Sequence, residues 1–161
     1  MNAHRPVAII TGASRGIGAA AAVAFGRAGW RVAITARTQA EGQLLEHQLR
    51  RPDGTLLAGS LQATAAAVRA TGAEVFEQPM DLMDPASLDA AVDASHARWG
   101  RVDLLLNNGV YQDRESNALL DGLDDAALER TLRGNVAAPL RLVRRVLPLM
   151  VAQGGGQIIN V

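Results

Sequence analysis

The stretch Thr11-Gly12-Ala13-Ser14-Arg15-Gly16-Ile17-Gly18 has the plainest chemical capacity in the chain. It follows a short apolar run, Val7-Ala8-Ile9-Ile10, and opens an alanine-rich segment from Gly18 to Ala28. That order reads as strand, glycine turn, helix. Glycines at 12, 16 and 18 permit positive φ and carry no Cβ, so a diphosphate can approach the backbone. The helix begins with unpaired N–H groups and the positive end of its dipole, both of which favour an anion. A nucleotide cofactor is the ligand these residues suggest, with Gly12, Ser14, Arg15, Gly16, Ile17 and Gly18 as candidate contacts.

A second reading uses the same residues. Gly12-Ala13-Ser14-Arg15-Gly16 satisfies G-x-S-x-G, the strand–turn–helix arrangement that presents the serine nucleophile of α/β-hydrolases. Against it, one strand alone precedes Ser14, and no acid-then-His pair follows in evident local context. A loop hydroxyl that bonds the turn or a phosphate is the plainer role for Ser14.

A site for NAD would place an acid against the ribose 2′-hydroxyl about twenty residues beyond the glycine loop. Here the second apolar run ends Thr35-Ala36-Arg37-Thr38, with no acid. Arg37, together with Arg15, fits a 2′-phosphate instead, because guanidinium groups bind phosphate through paired, charge-assisted bonds. NADP is therefore expected in preference to NAD, and two solvated arginines are the plain alternative. Further on, Asn135 stands four residues before Pro139. Proline has no N–H, so the Asn135 carbonyl loses its helical partner. Such a carbonyl beside a crevice can hold a water, and an ordinary proline kink is the other reading.

These residues need elements to position them. Residues 1–6 read as a loose leader, and the first helix stops near Gly29. Arg31 to Thr35 reads as the second strand. Leu44, Leu45 and Leu49 suggest a helix, ended by the turn signal Arg51-Pro52-Asp53-Gly54. Ser60 caps a further helix that runs to Gly72, with Leu61, Ala65 and Val68 on one face. Glu74 to Pro79 is the third strand. Asp84-Pro85 starts a helix with Leu88, Ala91, Val92 and Trp99 as its apolar stripe, closed by Gly100. Val102 to Leu106 is the fourth strand. Asp124 or Asp125 caps a long helix towards Gln153, interrupted at Pro139 and Pro148, and Gln157 to Val161 is the fifth strand. Alternating strands and helices predict an α/β fold, a three-layer, doubly wound Rossmann-type parallel sheet of order 3-2-1-4-5 in one domain. Its ligand crevice is expected at the carboxyl ends of strands 1 and 4.

Composition excludes several chemistries. Sixteen basic and sixteen acidic residues cancel, so no overall field recruits nucleic acid or an anionic membrane. Cysteine is absent, which removes disulfides, thiolate nucleophiles and cysteine metal sites. All sixteen basic residues are Arg; without Lys there is no P-loop lysine, Schiff-base lysine or lysine proton carrier. His4, His47 and His96 have no metal-ligand spacing. Asp113, Glu115, Asp124 and Asp125 read as loop and cap charges, and Arg141, Arg144 and Arg145 as a solvated helix face. With no signal-like or membrane-spanning run, a cytoplasmic protein is the expectation.

Thr11 with its glycine loop, Asp81-Leu82, Asn107-Asn108-Gly109, Asn135 and Gly156 to Val161 together resemble the short-chain dehydrogenase/reductase family. The resemblance implies hydride transfer between a nicotinamide cofactor and a carbonyl or alcohol substrate, and a homo-oligomer for the complete family member. It implies that Asp81 and Leu82 contact the adenine; a turn role for Asp81 is the alternative. It places Asn108 and Gly109 in the family's N-N-A-G signature, whose last glycine is either Val110 here or lost by deletion. Asn135 matches the Asn of the catalytic tetrad, which holds a water through its main chain in a relay to the family's Lys. The stretch 38–59 is longer than the usual family connection and reads as an insertion.

The family's fifth strand leads to a catalytic Ser and then to Y-x-x-x-K. The sequence given reaches Val161, so the resemblance covers the amino-terminal two-thirds of the family fold. A sheet truncated after strand 5 is expected, with an apolar Ile158-Ile159 edge that makes the chain aggregation-prone or dependent on a partner. Cofactor binding without turnover is expected of this chain alone. Tyr111 has no Lys partner and is expected to line the crevice or pack on the sheet. A non-catalytic NADP-binding module is the other functional reading.

Overall fold

β1 (Val7–Thr11) is buried at every residue, as a strand must be when helices cover both faces of a parallel sheet. It belongs to a computed structural model that describes residues 5–45, 53–112 and 124–161. After β1 come α1 (Gly16–Arg27), β2 (Arg31–Ala36), α2 (Leu61–Arg69), β3 (Val75–Pro79), α3 (Pro85–Trp99) and β4 (Leu104–Asn107). The chain then forms α4 (Asp125–Leu132), a π-helical turn (Arg133–Ala137), α5 (Ala138–Ala152) and β5 (Gln157–Asn160). The sheet has the expected order β3-β2-β1-β4-β5, and every adjacent pair is parallel.

Register explains the two cores. Ile10 lies opposite Ile34 and Leu106, while Ile9 lies opposite Ala33 and Leu105. Because side chains alternate along a strand, Ile10, Ile34 and Leu106 face Ala22, Leu61 and Val68 of α1 and α2. Ile9, Ala33 and Leu105 face Leu88 and Val92 of α3 and Leu142 and Val146 of α5. The result is three layers with the sheet in the middle.

Side-chain caps fix where helices begin. Ser60 Oγ accepts from the Ala63 N–H at 3.1 Å, Asp84 from Ala86 at 2.9 Å, and Asp124 from Ala127 at 2.6 Å. Each fills one of the donors that a helix start leaves unpaired. Asp124, rather than Asp125, is the cap of α4.

Several expectations need correction. α1 starts at Gly16 rather than Gly18, β3 at Val75, and β4 at Leu104 rather than Val102. Leu44 and Leu45 are not helical; Leu49, His4, His47, Asp113 and Glu115 lie outside the described residues. Pro148 does not interrupt α5, which runs through it. Its ring removes a single bond, to the Arg144 carbonyl, on the exposed side of the helix. The break near Pro139 takes the form of the π-helical turn, in which the Ala138 N–H reaches back to the Arg133 carbonyl. Arg141 and Arg145 lie on an exposed helix face, and each also grips a carboxylate of α3 at two points, Arg141 on Asp89 and Arg145 on Asp93, at 2.6 and 2.8 Å. Arg144 is exposed.

Candidate functional site

Thr11, the last residue of β1, ties the two central strands together at their carboxyl ends. Its hydroxyl donates to the Leu106 carbonyl at 3.3 Å and accepts the backbone N–H groups of Asn108 at 3.0 Å and Gly109 at 2.8 Å. The Asn108 amide answers from the other side, donating to the carbonyls of Thr11 at 3.0 Å and Gly12 at 3.3 Å. Five bonds thus lock the glycine loop to the Asn-Asn-Gly turn. Sequence reasoning saw Thr11 as the residue leading the loop; a polar residue ending a buried strand is the signal that it caps the neighbouring strand.

Close approach dictates two glycines. Gly12 has φ +66°, and a Cβ there would stand 2.6 Å from Gly109 Cα. A Cβ on Gly18 would stand 2.6 Å from both Asn108 Nδ2 and the Gly12 carbonyl. The backbone atoms of Gly109 and Gly12 in these contacts cannot swing away as a flexible side chain can. Gly18 therefore lets α1 start against the Asn108 turn, where its free N–H groups face the crevice.

A cavity of about 430 Å³ opens at this edge. Gly12, Ser14, Arg15 and Ile17 line it from the glycine loop. Arg37, Asp81 and Leu82 line it from the ends of β2 and β3, and Asn108 and Gly109 from the turn after β4. Gly16 opens α1 with φ +56° and open space where a Cβ would lie; neither Gly16 nor Gly18 lines the cavity. Asp81 also shapes its own turn, since its carboxylate accepts from the Met83 N–H at 2.9 Å.

Arg15 carries a buried donor that the protein leaves unmet. Its Nη2 donates to the Thr38 hydroxyl at 3.3 Å and to the Gly59 carbonyl at 2.9 Å, while Nε is buried with no partner. Burial pushes its pKa down from the ordinary arginine value, Glu41 works upward, and Arg37 works downward. A partly buried cation with an unmet donor, next to a second cation, fits an anion.

Asn135 lines an adjoining cavity of about 330 Å³ that shares Gly109, Val110 and Val161 with the first. Its Oδ1 accepts the Tyr111 N–H at 2.7 Å and its Nδ2 donates to the Tyr111 carbonyl at 2.9 Å. Tyr111 is buried, lines the larger cavity, and its Cβ lies where a Cβ on Gly134 would collide. Asn107, which sequence reasoning left without a role, donates from Nδ2 to Asn160 Oδ1 at 2.9 Å across β4 and β5. Ser14 faces the large cavity, whereas His96 belongs to the last turn of α3, which ends at the opposite edge of the sheet. No group of His, Asp or Glu among the described residues is arranged to hold a metal.

The family model of short chain dehydrogenases matches residues 6–60 and 55–161. The chain belongs to the short-chain dehydrogenase/reductase family. A fatty acyl-CoA reductase of Mycobacterium tuberculosis is 36% identical over 154 residues, covering 95% of this chain and 45% of that protein. Galactitol 2-dehydrogenase of Agrobacterium fabrum is 31% identical over 161 residues, covering 99% and 53%. The crystal structure of a metagenomic short-chain oxidoreductase in complex with NADP superposes with a TM-score of 0.76 at 32% identity, covering 96% of this chain and 61% of that one. The chain thus spans about half the length of the curated relatives it matches. The two stretches of the family match overlap at residues 55–60, at the end of the segment 38–59 read as an insertion. Among the described residues no helix is long and apolar enough to cross a membrane.

Proposed function

We propose that this chain binds NADP in the cavity at the carboxyl ends of β1, β2 and β4, and serves hydride transfer between the nicotinamide and a carbonyl or alcohol substrate. The observation that carries the reading is the Arg15–Arg37 pair: one guanidinium is partly buried with an unmet N–H, the second lines the same cavity, and the β2 end offers no carboxylate for a 2′-hydroxyl. A 2′-phosphate meets both charges. NADP, when bound, supplies or accepts the hydride.

The chain's own residues then divide the work. The N-terminus of α1, opened by Gly16, faces the diphosphate. Thr11 and Asn108 hold that turn rigid, so little ordering remains to be done on binding. Asp81 and Leu82 flank the adenine, and Asn108 and Gly109 the adenine ribose. Asn135 spends its side chain on Tyr111, which leaves its carbonyl, denied a partner by Pro139, to hold a water. Self-association belongs to the same reading: Leu132, Val136, Leu140 and Leu147 stand 49–57% exposed along α4, the π-helical turn and α5, an apolar row suited to a second copy.

Taken alone, these 161 residues bind NADP without turnover. Reduction of a carbonyl builds negative charge on oxygen and needs a donor and a proton; a positioned acid contributes about 10²–10⁴-fold. The sequence holds no Lys and one Tyr, and the arginines do not give up a proton. To test both halves, the chain is titrated into NADPH while cofactor fluorescence is followed, and NADPH oxidation is then measured against ketones and aldehydes. Binding without oxidation is expected. Absence of binding refutes the cofactor site, and steady oxidation refutes the inactive assignment.

A further inference from the structure

The loop between β2 and α2 reaches back onto the glycine turn. Gly59 has φ +123°, and a Cβ there would stand 2.5 Å from the Ser14 carbonyl and 2.7 Å from Arg15 Cβ. So close an approach puts the Gly59 carbonyl 2.9 Å from Arg15 Nη2. The Gly59 N–H donates to Glu41 Oε2 at 3.4 Å, and the Leu61 N–H to the Thr38 carbonyl at 3.0 Å. Both ends of the loop are therefore pinned beside Arg15, and Thr38 gives Nη2 its second acceptor at 3.3 Å. A free arginine has many rotamers, whereas this one is held by one amino group while its Nε stays unmet.

We propose that Gly59 is a specificity-determining positioning residue: its carbonyl, with the Thr38 hydroxyl, latches Arg15 so that the guanidinium is preset for the cofactor's 2′-phosphate. The proposal rests on the NADP reading above. It adds that cofactor selectivity depends on the segment where the family match divides, and not on the two arginines alone. Preorganisation is the physical reason: side-chain freedom already lost before binding does not oppose binding. Glu41, on the same loop, works against the effect of burial on the Arg15 charge.

A double-mutant cycle on the full chain tests this, with NADPH and NADH titrated separately by fluorescence. Gly59→Ala presses a Cβ on the Ser14 carbonyl of the glycine loop, so both cofactors weaken, and NADPH is expected to lose about tenfold more than NADH. In an Arg15→Ala background the same change is expected to leave the NADPH/NADH ratio where it is, since the group being positioned is gone. Thr38→Val, which folds without any backbone demand, is expected to lower the ratio in the same Arg15-dependent way, with Thr38→Ser retaining it. Equal weakening of both cofactors by Gly59→Ala, or a ratio shift that persists without Arg15, overturns the latch while leaving NADP preference intact. A wild-type chain that binds NADPH and NADH equally overturns both.

Discussion

Asn135 and Tyr111 form a two-point clamp: the side-chain amide of one accepts from and donates to the backbone of the other, at 2.7 and 2.9 Å. The clamp joins the π-helical turn to the loop after β4, and so sets the wall between the two adjoining cavities. The asparagine to which the family resemblance gives a chemical role is here a structural brace.

Replacing Asn135 with Ala should therefore act on stability before any rate is considered. Two bonds, at about 1 kcal/mol each net, correspond to a melting temperature lower by about 4–8 °C in a chain of this size. Scanning calorimetry of the two proteins checks it. An unchanged melting temperature would mean that packing of Tyr111 on Gly134 holds the loop by itself.

Gly18→Ala should damage cofactor binding and fold together. The new Cβ meets the Asn108 amide and the Gly12 carbonyl at 2.6 Å, and overpacking of this kind costs about 1–3 kcal/mol. Either α1 moves off or Asn108 releases Thr11, and both outcomes deform the turn that receives the diphosphate. NADPH titration beside a urea melt reads both effects. Normal affinity in a normally stable Gly18→Ala protein would refute the role given to this contact.

The α3–α5 staple predicts a pH dependence. The Arg141 hydrogen bonds hold the Asp89 carboxyl below its usual range against a smaller opposing effect of desolvation. A carboxylate depressed in the folded state adds stability above its unfolded pKa, near 3.9, and that stability is lost as pH falls through the lower folded value. Asp89→Asn should thus melt below wild type at pH near 7, and the difference should shrink as pH drops below about 4. Both side chains are solvent-accessible, so added salt should also narrow it. A gap that is constant with pH and salt would assign the effect to packing.

How much of this was legible in the sequence depended on whether the signal was local. Strand order followed from five apolar runs separated by helical patterns, and the starts of α2, α3 and α4 from Ser60, Asp84 and Asp124, because caps act within three residues. Of the helix suggested by Leu44, Leu45 and Leu49, the first two residues are not helical and the remainder lies outside the described residues; leucines alone fit many conformations. The pairing of the exposed Arg141 and Arg145 was not legible because their partners lie 52 residues away on α3, and spacing within one helix carries no such register. Pro139 marked a disturbance, but whether the ladder breaks or widens into a π turn depends on what the surrounding loop supplies. For the candidate site, the glycine loop and Arg37 were visible as types at set distances, and Asp81 and Asn108 only through the family resemblance. Thr11 as a hub and Gly59 as a latch were not, since both act through directions that only the folded backbone defines.

The account stands most directly on the relative affinity of the chain for NADPH and NADH, each measured by fluorescence titration at one fixed salt concentration, with Arg37→Asp measured alongside. NADPH should bind at least about tenfold tighter than NADH, and Arg37→Asp should weaken NADPH by about 10- to 100-fold while improving NADH. Equal affinities in the unmutated chain, or an Arg37→Asp protein that still prefers NADPH, would contradict it.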